Sequence, residues 1–386
     1  MNEPQPNPLT SPEDQSATFV ELFFDLVFVF SLTQVVHLLH HGLDWATIGQ
    51  ATLVFWLVWW AWTQFTWTLN TADTTQTVVE LWTLVATAVV FFMAIALPNA
   101  FHGSGLWFAI SYVVVRLIGL GLHVWVGWND PSLLAAIRSF TVVSLLGLGA
   151  VLAGGLMGGR AQIGMWALAI ALDVLAAMVG GRVDGWNLRS EHFGERHGLF
   201  VIIALGETLI VAANGFQGVG HSMEQVTVAV LAVATTCGLW WTYFPRAKPA
   251  LEEQLARHPG LARAGLARDA YSLAHFLMVC GIVAFAVALE GALNPGHFSH
   301  TGAWALATGF ILFVGGMGMA LWRATGKCPL PRTILTLLTA AAIVLLPSGR
   351  ADLALGVALA GTVLISVIEQ RSLGVDRETR LESQKL

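Results

Sequence analysis

The sequence predicts an all-α protein, a polytopic transmembrane helical bundle of about 12 spans. Three observations carry that prediction. Only 11% of the residues are charged and 56% are hydrophobic, at a mean hydropathy of +0.68, where a soluble domain carries roughly 25% charge. The apolar residues form continuous runs near the roughly 20 residues a helix needs to cross hydrocarbon, without the alternation of a β-barrel strand. The 39 Gly and 16 Trp match the enrichment of Gly in membrane helices and of Trp at bilayer interfaces. The same composition excludes a cytosolic globule and a disordered chain. A net charge of −5 with 19 Lys and Arg leaves no basic stripe for nucleic acid.

Residues 1–17 are polar, acidic and proline-bearing, with no basic n-region, so they read as a disordered cytoplasmic tail and not a cleaved signal. The first run, 18–41, opens Thr18-Phe-Val-Glu21-Leu-Phe-Phe-Asp25. The second, 45–69, carries indoles from Trp56 through Trp67. An interfacial belt explains the outer ones, and packing or a cavity wall explains mid-span Trp59 and Trp60. Runs at 78–99 and 104–126 follow, the latter with Arg116 inside it, then 135–157 and 161–181, which holds Asp173. After a connection at 182–194 come 195–214, 226–244, 271–291, 303–323, 332–347 and 351–370, then a cytoplasmic tail, 371–386. The run before Pro347 is the weakest and fits a shallow or packed segment as well. The longest connection, about 245–270, reads as a short amphipathic surface helix.

Sixteen of the 19 Lys and Arg fall in the tails and even-numbered loops, and two, Arg160 and Arg350, in the odd-numbered ones. By the positive-inside rule both termini are cytoplasmic. Cys237, Cys280 and Cys328 have no metal or redox spacing. An internal repeat is visible. Phe19-Val-Glu21 and Phe193-Gly-Glu195 open the first and seventh runs, and Trp59-Trp60 and Trp240-Trp241 sit in the second and eighth. This suggests two six-helix halves, 18–181 and 195–370, in the parallel-repeat plan of many transporters.

Ionisable groups within spans are costly and usually face a protein interior or a water cavity. Glu21 and Asp25 lie one turn apart and share a face. At 1.5 Å per residue, Arg116 and Glu207 each sit about 18 Å into their helices, and Asp173 lies in the inner half of its span. With Arg116 as the deep cation against Asp25, Asp173 and Glu207, the charges do not balance. Glu21, Asp25, Arg116, Asp173, Glu207 and His275 are therefore candidates for an ion or proton pathway. The alternative is an internal ion-pair cluster that pins helices together.

Glu191, His192, Glu195 and Arg196 crowd the start of the seventh run and are candidates for a cytoplasmic gate or cap. A His with two carboxylates offers a weaker possibility of a Zn²⁺ or Mn²⁺ site, though no zinc-protease signature is present. His275 follows Tyr271 by four residues and stacks on it in a helix. Asn70, Asn214 and Gln34 suit interhelical hydrogen bonds. No phosphate loop, nucleophile elbow or haem motif appears, so no cofactor is expected.

The stretches Glu21-Leu-Phe-Phe-Asp25-Leu-Val-Phe-Val29 and Glu195-Arg-His-Gly-Leu-Phe-Val-Ile-Ile-Ala-Leu-Gly-Glu207, with Tyr271 and His275 downstream, resemble the bacterial low temperature requirement protein A family. The resemblance runs over about 18–370. It implies a multi-pass inner-membrane protein linked by name to growth in the cold, with Glu21, Asp25, Arg116, Glu195, Arg196, Gly206, Glu207 and His275 as signature positions. It brings no substrate or reaction. The residues favour a secondary transporter or a proton or ion pathway, with lipids and a small solute or ion as partners. A membrane sensor or structural protein is the alternative, and a metal-dependent intramembrane enzyme stands further off.

Overall fold

A computed structural model describes residues 9–12, 15–39, 42–215, 222–293 and 298–383. Its helices are α1 (Phe19–Leu39), α2 (Trp45–Thr71), α3 (Thr77–Asn99), α4 (Gly105–Asn129), α5 (Pro131–Met157) and α6 (Gly159–Gly180). They continue with α7 (Ser190–Gly215), α8 (Met223–Arg257), α9 (Gly260–Leu293), α10 (His300–Thr325), α11 (Leu330–Leu345) and α12 (Ala351–Ser383). Among the described residues the only β-pairing is one isolated bridge, Thr10 to Ala72. The protein is the polytopic helical bundle that the composition predicts.

Ten of the helices, α1, α3 to α10 and α12, are long and apolar enough to cross a membrane. The other two depart from the twelve expected spans for different reasons. α11 has 16 residues, about 24 Å at 1.5 Å per residue against about 30 Å of hydrocarbon. α2 is long enough at 27 residues, but its Thr, Gln, Asn and Trp lower its apolarity. From Leu53 to Thr71 every side chain except Trp56 and Trp67 is buried, so this helix faces protein all round and has no need of a lipid-facing surface.

The chain forms two compact units, Met1–Ala204 with Leu251–Phe276, and Leu205–Ala250 with Leu277–Leu386. In the first, α2 is the central helix, packed by α1, α4 and α6. Outer helices turn large apolar residues outward, among them Leu81, Trp82, Phe91 and Phe92 on α3. In the second unit, α9 and α10 approach closely at Gly281 and Gly309. A Cβ on Gly281 would stand 2.5 Å from the Phe313 backbone nitrogen, the small-residue contact by which membrane helices gain packing.

Parts of both expected tails form defined structure among the described residues. Of residues 1–17, positions 1–8 and 13–14 lie outside the described residues. Leu9 to Ser11 pair with the end of α2 through Ser11 N to Thr71 O, 2.9 Å, and Asp73 N to Leu9 O, 2.7 Å. Gln15 donates to Leu69 O at 3.2 Å. Free backbone groups at the end of α2 give this short stretch partners that a composition reading does not see. At the other end α12 continues as helix past residue 370 to Ser383, through a run of helix-forming Arg, Glu and Leu. The surface helix expected at 245–270 is split: Lys248–Arg257 ends α8, burying Leu251 and Leu255, and Gly260–Leu266 begins α9.

Asp130 caps α5, accepting from the backbone N–H of Ser132 at 2.9 Å and of Leu133 at 3.1 Å. Partial burial pushes its carboxyl upward, but the bonds from Ser132 and Leu133 outweigh this and hold it below the ordinary 3.8. Asp130→Ala is expected to lower stability by about 0.5–1 kcal/mol. Because the folded carboxyl titrates below the unfolded one, that difference is full above about pH 4. It is lost as the pH falls through the folded value. Melting curves of the two proteins at neutral and acidic pH check both statements.

Candidate functional site

The first unit holds two separate buried ion networks. In one, Arg196 on α7 clamps both acids of α1. Its Nε donates to Asp25 Oδ2 at 3.0 Å, its Nη2 to Asp25 Oδ1 at 2.6 Å, and its Nη1 to Glu21 Oε1 at 2.5 Å. The Trp62 indole donates to Asp25 Oδ1 at 2.7 Å, and Thr18 N and Oγ1 donate to Glu21 Oε2. His192 Nε2 lies 3.0 Å from Glu21 Oε1, and its Nδ1 lies 3.2 Å from Asn70 Nδ2. The Asn70 amide is a donor there, so the His192 proton belongs on Nε2, facing the carboxylate. Every charged side chain in this cluster is 0% exposed.

The i, i+4 spacing of Glu21 and Asp25 makes the cluster possible: both acids leave α1 on one face, and a single guanidinium spans them with its planar fork. Arg196, near the start of its run in the sequence, lies inside the fold. Glu195 does stay at the edge, half-buried, accepting Ala17 N at 2.9 Å. Glu191 is exposed and outside the network.

The second network joins Arg116 on α4 to Asp173 on α6. Both terminal nitrogens of Arg116 donate to the same oxygen, Asp173 Oδ1, at 3.2 Å. Nη1 also meets Tyr112 OH and Nη2 meets Ser144 Oγ at 3.4 Å. The pair is buried but incompletely satisfied. Asp173 Oδ2 and Arg116 Nε have no hydrogen-bond partner among the described residues. The Tyr112 hydroxyl and the Trp60 indole also lie against the Asp173 carboxylate.

A cavity of about 50 Å³ lies beside this pair, walled by Trp60, Trp67, Trp186 and Phe140, with Gln64, His123, Gly181 and Arg268 among its other lining residues. Its wall includes Ala177, one helical turn beyond Asp173 on α6. Thr63, Gln64 and His123 are signals the sequence reading passes over, because neutral polar side chains on separate helices share no local pattern.

His275 stacks on Tyr271 with ring centroids 5.1 Å apart and planes 6° apart, as the spacing predicts. Its Nδ1 meets Ala270 O at 2.9 Å, and His197 stands edge-on to it at 5.2 Å. Glu207 is half-buried in the second unit; it belongs to neither network. That unit has its own buried cation, Arg332 on α11, which donates to Glu369 Oε1 at 2.6 Å and Oε2 at 2.8 Å. Arg196 and Arg332 both look like loop residues in the sequence, and both are buried. Among the described residues no group of three His, Cys, Asp or Glu is placed to hold a metal ion. Glu21, the carboxylate nearest His192, already faces a guanidinium.

Ten helices long and apolar enough to cross a membrane make this a multi-pass membrane protein. More narrowly, this chain belongs to the bacterial low temperature requirement A (LtrA) family, whose model matches residues 16–368. It is 29% identical over 329 residues to an uncharacterized protein of Rhizobium meliloti (strain 1021), covering 79% of this chain and 76% of that one. No solved structure matches it.

Proposed function

We propose that this LtrA-family protein is a bacterial inner-membrane transporter with both termini cytoplasmic, in which proton or ion movement is coupled at the Arg116–Asp173 pair. The observation that carries the reading is the unsatisfied Asp173 Oδ2 one turn from the cavity wall. A buried carboxylate with a spare oxygen, close to a cavity, is the kind of group a proton relay uses. A proton on Oδ2 neutralises Asp173 and removes its Coulomb attraction to Arg116, giving the α4–α6 contact two charge states. The orientation rests on the loop cations, whose excess survives the removal of buried Arg196 and Arg332.

Purified protein in liposomes loaded with a pH-sensitive dye is expected to pass protons under an imposed gradient. Asp173→Asn, which keeps the shape and loses the titration, is expected to bring that flux down to the protein-free background. Wild-type flux in correctly reconstituted Asp173→Asn would refute the assignment.

One observation favours a second reading, a membrane sensor or structural protein serving growth in the cold. The Glu21–Asp25–Arg196 cluster is wholly buried and fully partnered, which suits a staple between α1 and α7 better than a moving part. The two roles can coexist, since the networks share no residue.

A further inference from the structure

Two cavities of opposite character meet at one side chain. The inner one, about 50 Å³, runs from Trp60 and Thr63 within α2 to Gly181, just past the end of α6. The outer one, about 320 Å³, lies among the connecting loops, with Ser132, Asp184, Asn187, Gly260 and Arg263 in its wall. Ser132, Asp184, Asn187 and Gly260 are exposed, so the outer cavity meets solvent. Among the described residues Trp186, in the connection between α6 and α7, is the only one that lines both.

The inner cavity is poorly suited to water. Its wall is largely the rings of Trp60, Trp67, Phe140 and Trp186. The unpartnered polar atoms of Thr63, Gln64 and His123 are themselves enclosed, so the surface that faces the space is almost wholly apolar. A water needs about two to four polar partners to stay in a cavity. Apolar constrictions that lack them block water and ions by dewetting. Asp173 lies one helical turn farther from the loop than Ala177, which is in the wall.

The local sequence sets the Trp186 indole at the junction. Gly185 before it has a φ of +117°, where glycine is favoured, and a Cβ there would stand 2.6 Å from the Ser132 backbone. On the other side, Arg263 Nη1 donates to Leu188 O at 3.2 Å, and Leu188 N to Trp186 O at 2.8 Å. These ties fix the backbone, while the indole itself is held by less. Its Nε1 donates to Gly180 O at 2.9 Å. Its ring stands edge-on to Trp67 at 5.3 Å and to His123 at 5.8 Å.

We propose that Trp186 is a gate, whose indole separates a solvent-exposed vestibule from the apolar cavity beside the Arg116–Asp173 pair. Rotation of that one side chain joins the two spaces and admits water. On the orientation proposed above, the vestibule faces the cytoplasm. That the admitted water carries protons to Asp173 rests on the transport reading; that Trp186 controls entry does not.

Thiol labelling of the detergent-purified full chain tests the gate. Thr63→Cys puts a reporter in the inner wall, at a residue 3% exposed whose hydroxyl has no hydrogen bond to lose among the described residues. Aminoethyl methanethiosulfonate is the probe, and peptide mass spectrometry reads each cysteine separately. The introduced thiol is expected to react far more slowly than the native, exposed Cys328. Adding Trp186→Ala is expected to speed its labelling by about tenfold or more, the population change that follows when a hydrogen bond and two ring contacts stop favouring a closed state. Trp186→Phe keeps a ring but loses the bond to Gly180; it is expected to give a smaller rise and serves should Trp186→Ala fail to fold. Labelling of Thr63→Cys as fast as Cys328, or no faster in the folded Trp186 variants, would overturn the gate. Faster labelling in Trp186→Ala with wild-type proton flux in Asp173→Asn would uphold the gate and sink the relay. Unchanged labelling with flux lost in Asp173→Asn would do the reverse.

Discussion

Arg196→Met is expected to destabilise the protein by about 3–5 kcal/mol. Glu21 and Asp25 would remain buried, each 0% exposed, without the guanidinium that both now share. Lysine is no substitute, because an ammonium cannot reproduce the flat fork that reaches two carboxylates at once. The companion triple variant, Glu21→Gln with Asp25→Asn and Arg196→Met, is expected to recover a large part of the loss, since it leaves no unpaired charge behind. Denaturant-unfolding midpoints in detergent micelles measure both. An Arg196→Met midpoint equal to that of the wild type would mean the cluster contributes nothing to holding α1 and α7.

Gly281→Ala is the second large effect. The added methyl would meet the Phe313 nitrogen at 2.5 Å and the Gly309 carbonyl oxygen at 2.8 Å, and backbone cannot swing aside as a side chain can. Overpacking of this kind costs about 1–3 kcal/mol, occasionally more. Gly291→Ala, on the same helix, is the control: among the described residues nothing lies within 4 Å of its Cβ, and alanine is the better helix former. The expected result is a clear drop in melting temperature for Gly281→Ala and little change or a rise for Gly291→Ala.

The contrast between those glycines shows where the sequence is readable. A run of apolar residues announces a span, because hydrocarbon acts on every residue of it. The Tyr271–His275 stack is equally local, and four residues along a helix suffice to predict it. Arg196 is different. Its position near the start of a run places it with the loop cations, and only the packing of α7 on α1 encloses it. With Arg196 inside, the deep acids no longer face Arg116 alone. Arg116 was readable as a counter-charge, but its partner was not, since Asp25, Asp173 and Glu207 were equally open to it. The cavity leaves the faintest trace of all. Thr63, Gln64 and His123 look like ordinary polar spacers, and the lack of partners for their atoms exists only in three dimensions.

The distribution of indoles has a spectroscopic consequence. Trp59, Trp60, Trp62 and Trp166 are almost wholly enclosed, whereas Trp45, Trp107, Trp128, Trp304 and Trp322 are more than half exposed. Brominated acyl chains or aqueous acrylamide should therefore extinguish the outer emission first and leave a residual signal from the interior. That residue is dominated by rings beside the Asp25 cluster and the cavity. The molecule carries a built-in optical probe of its own centre, readable without any label.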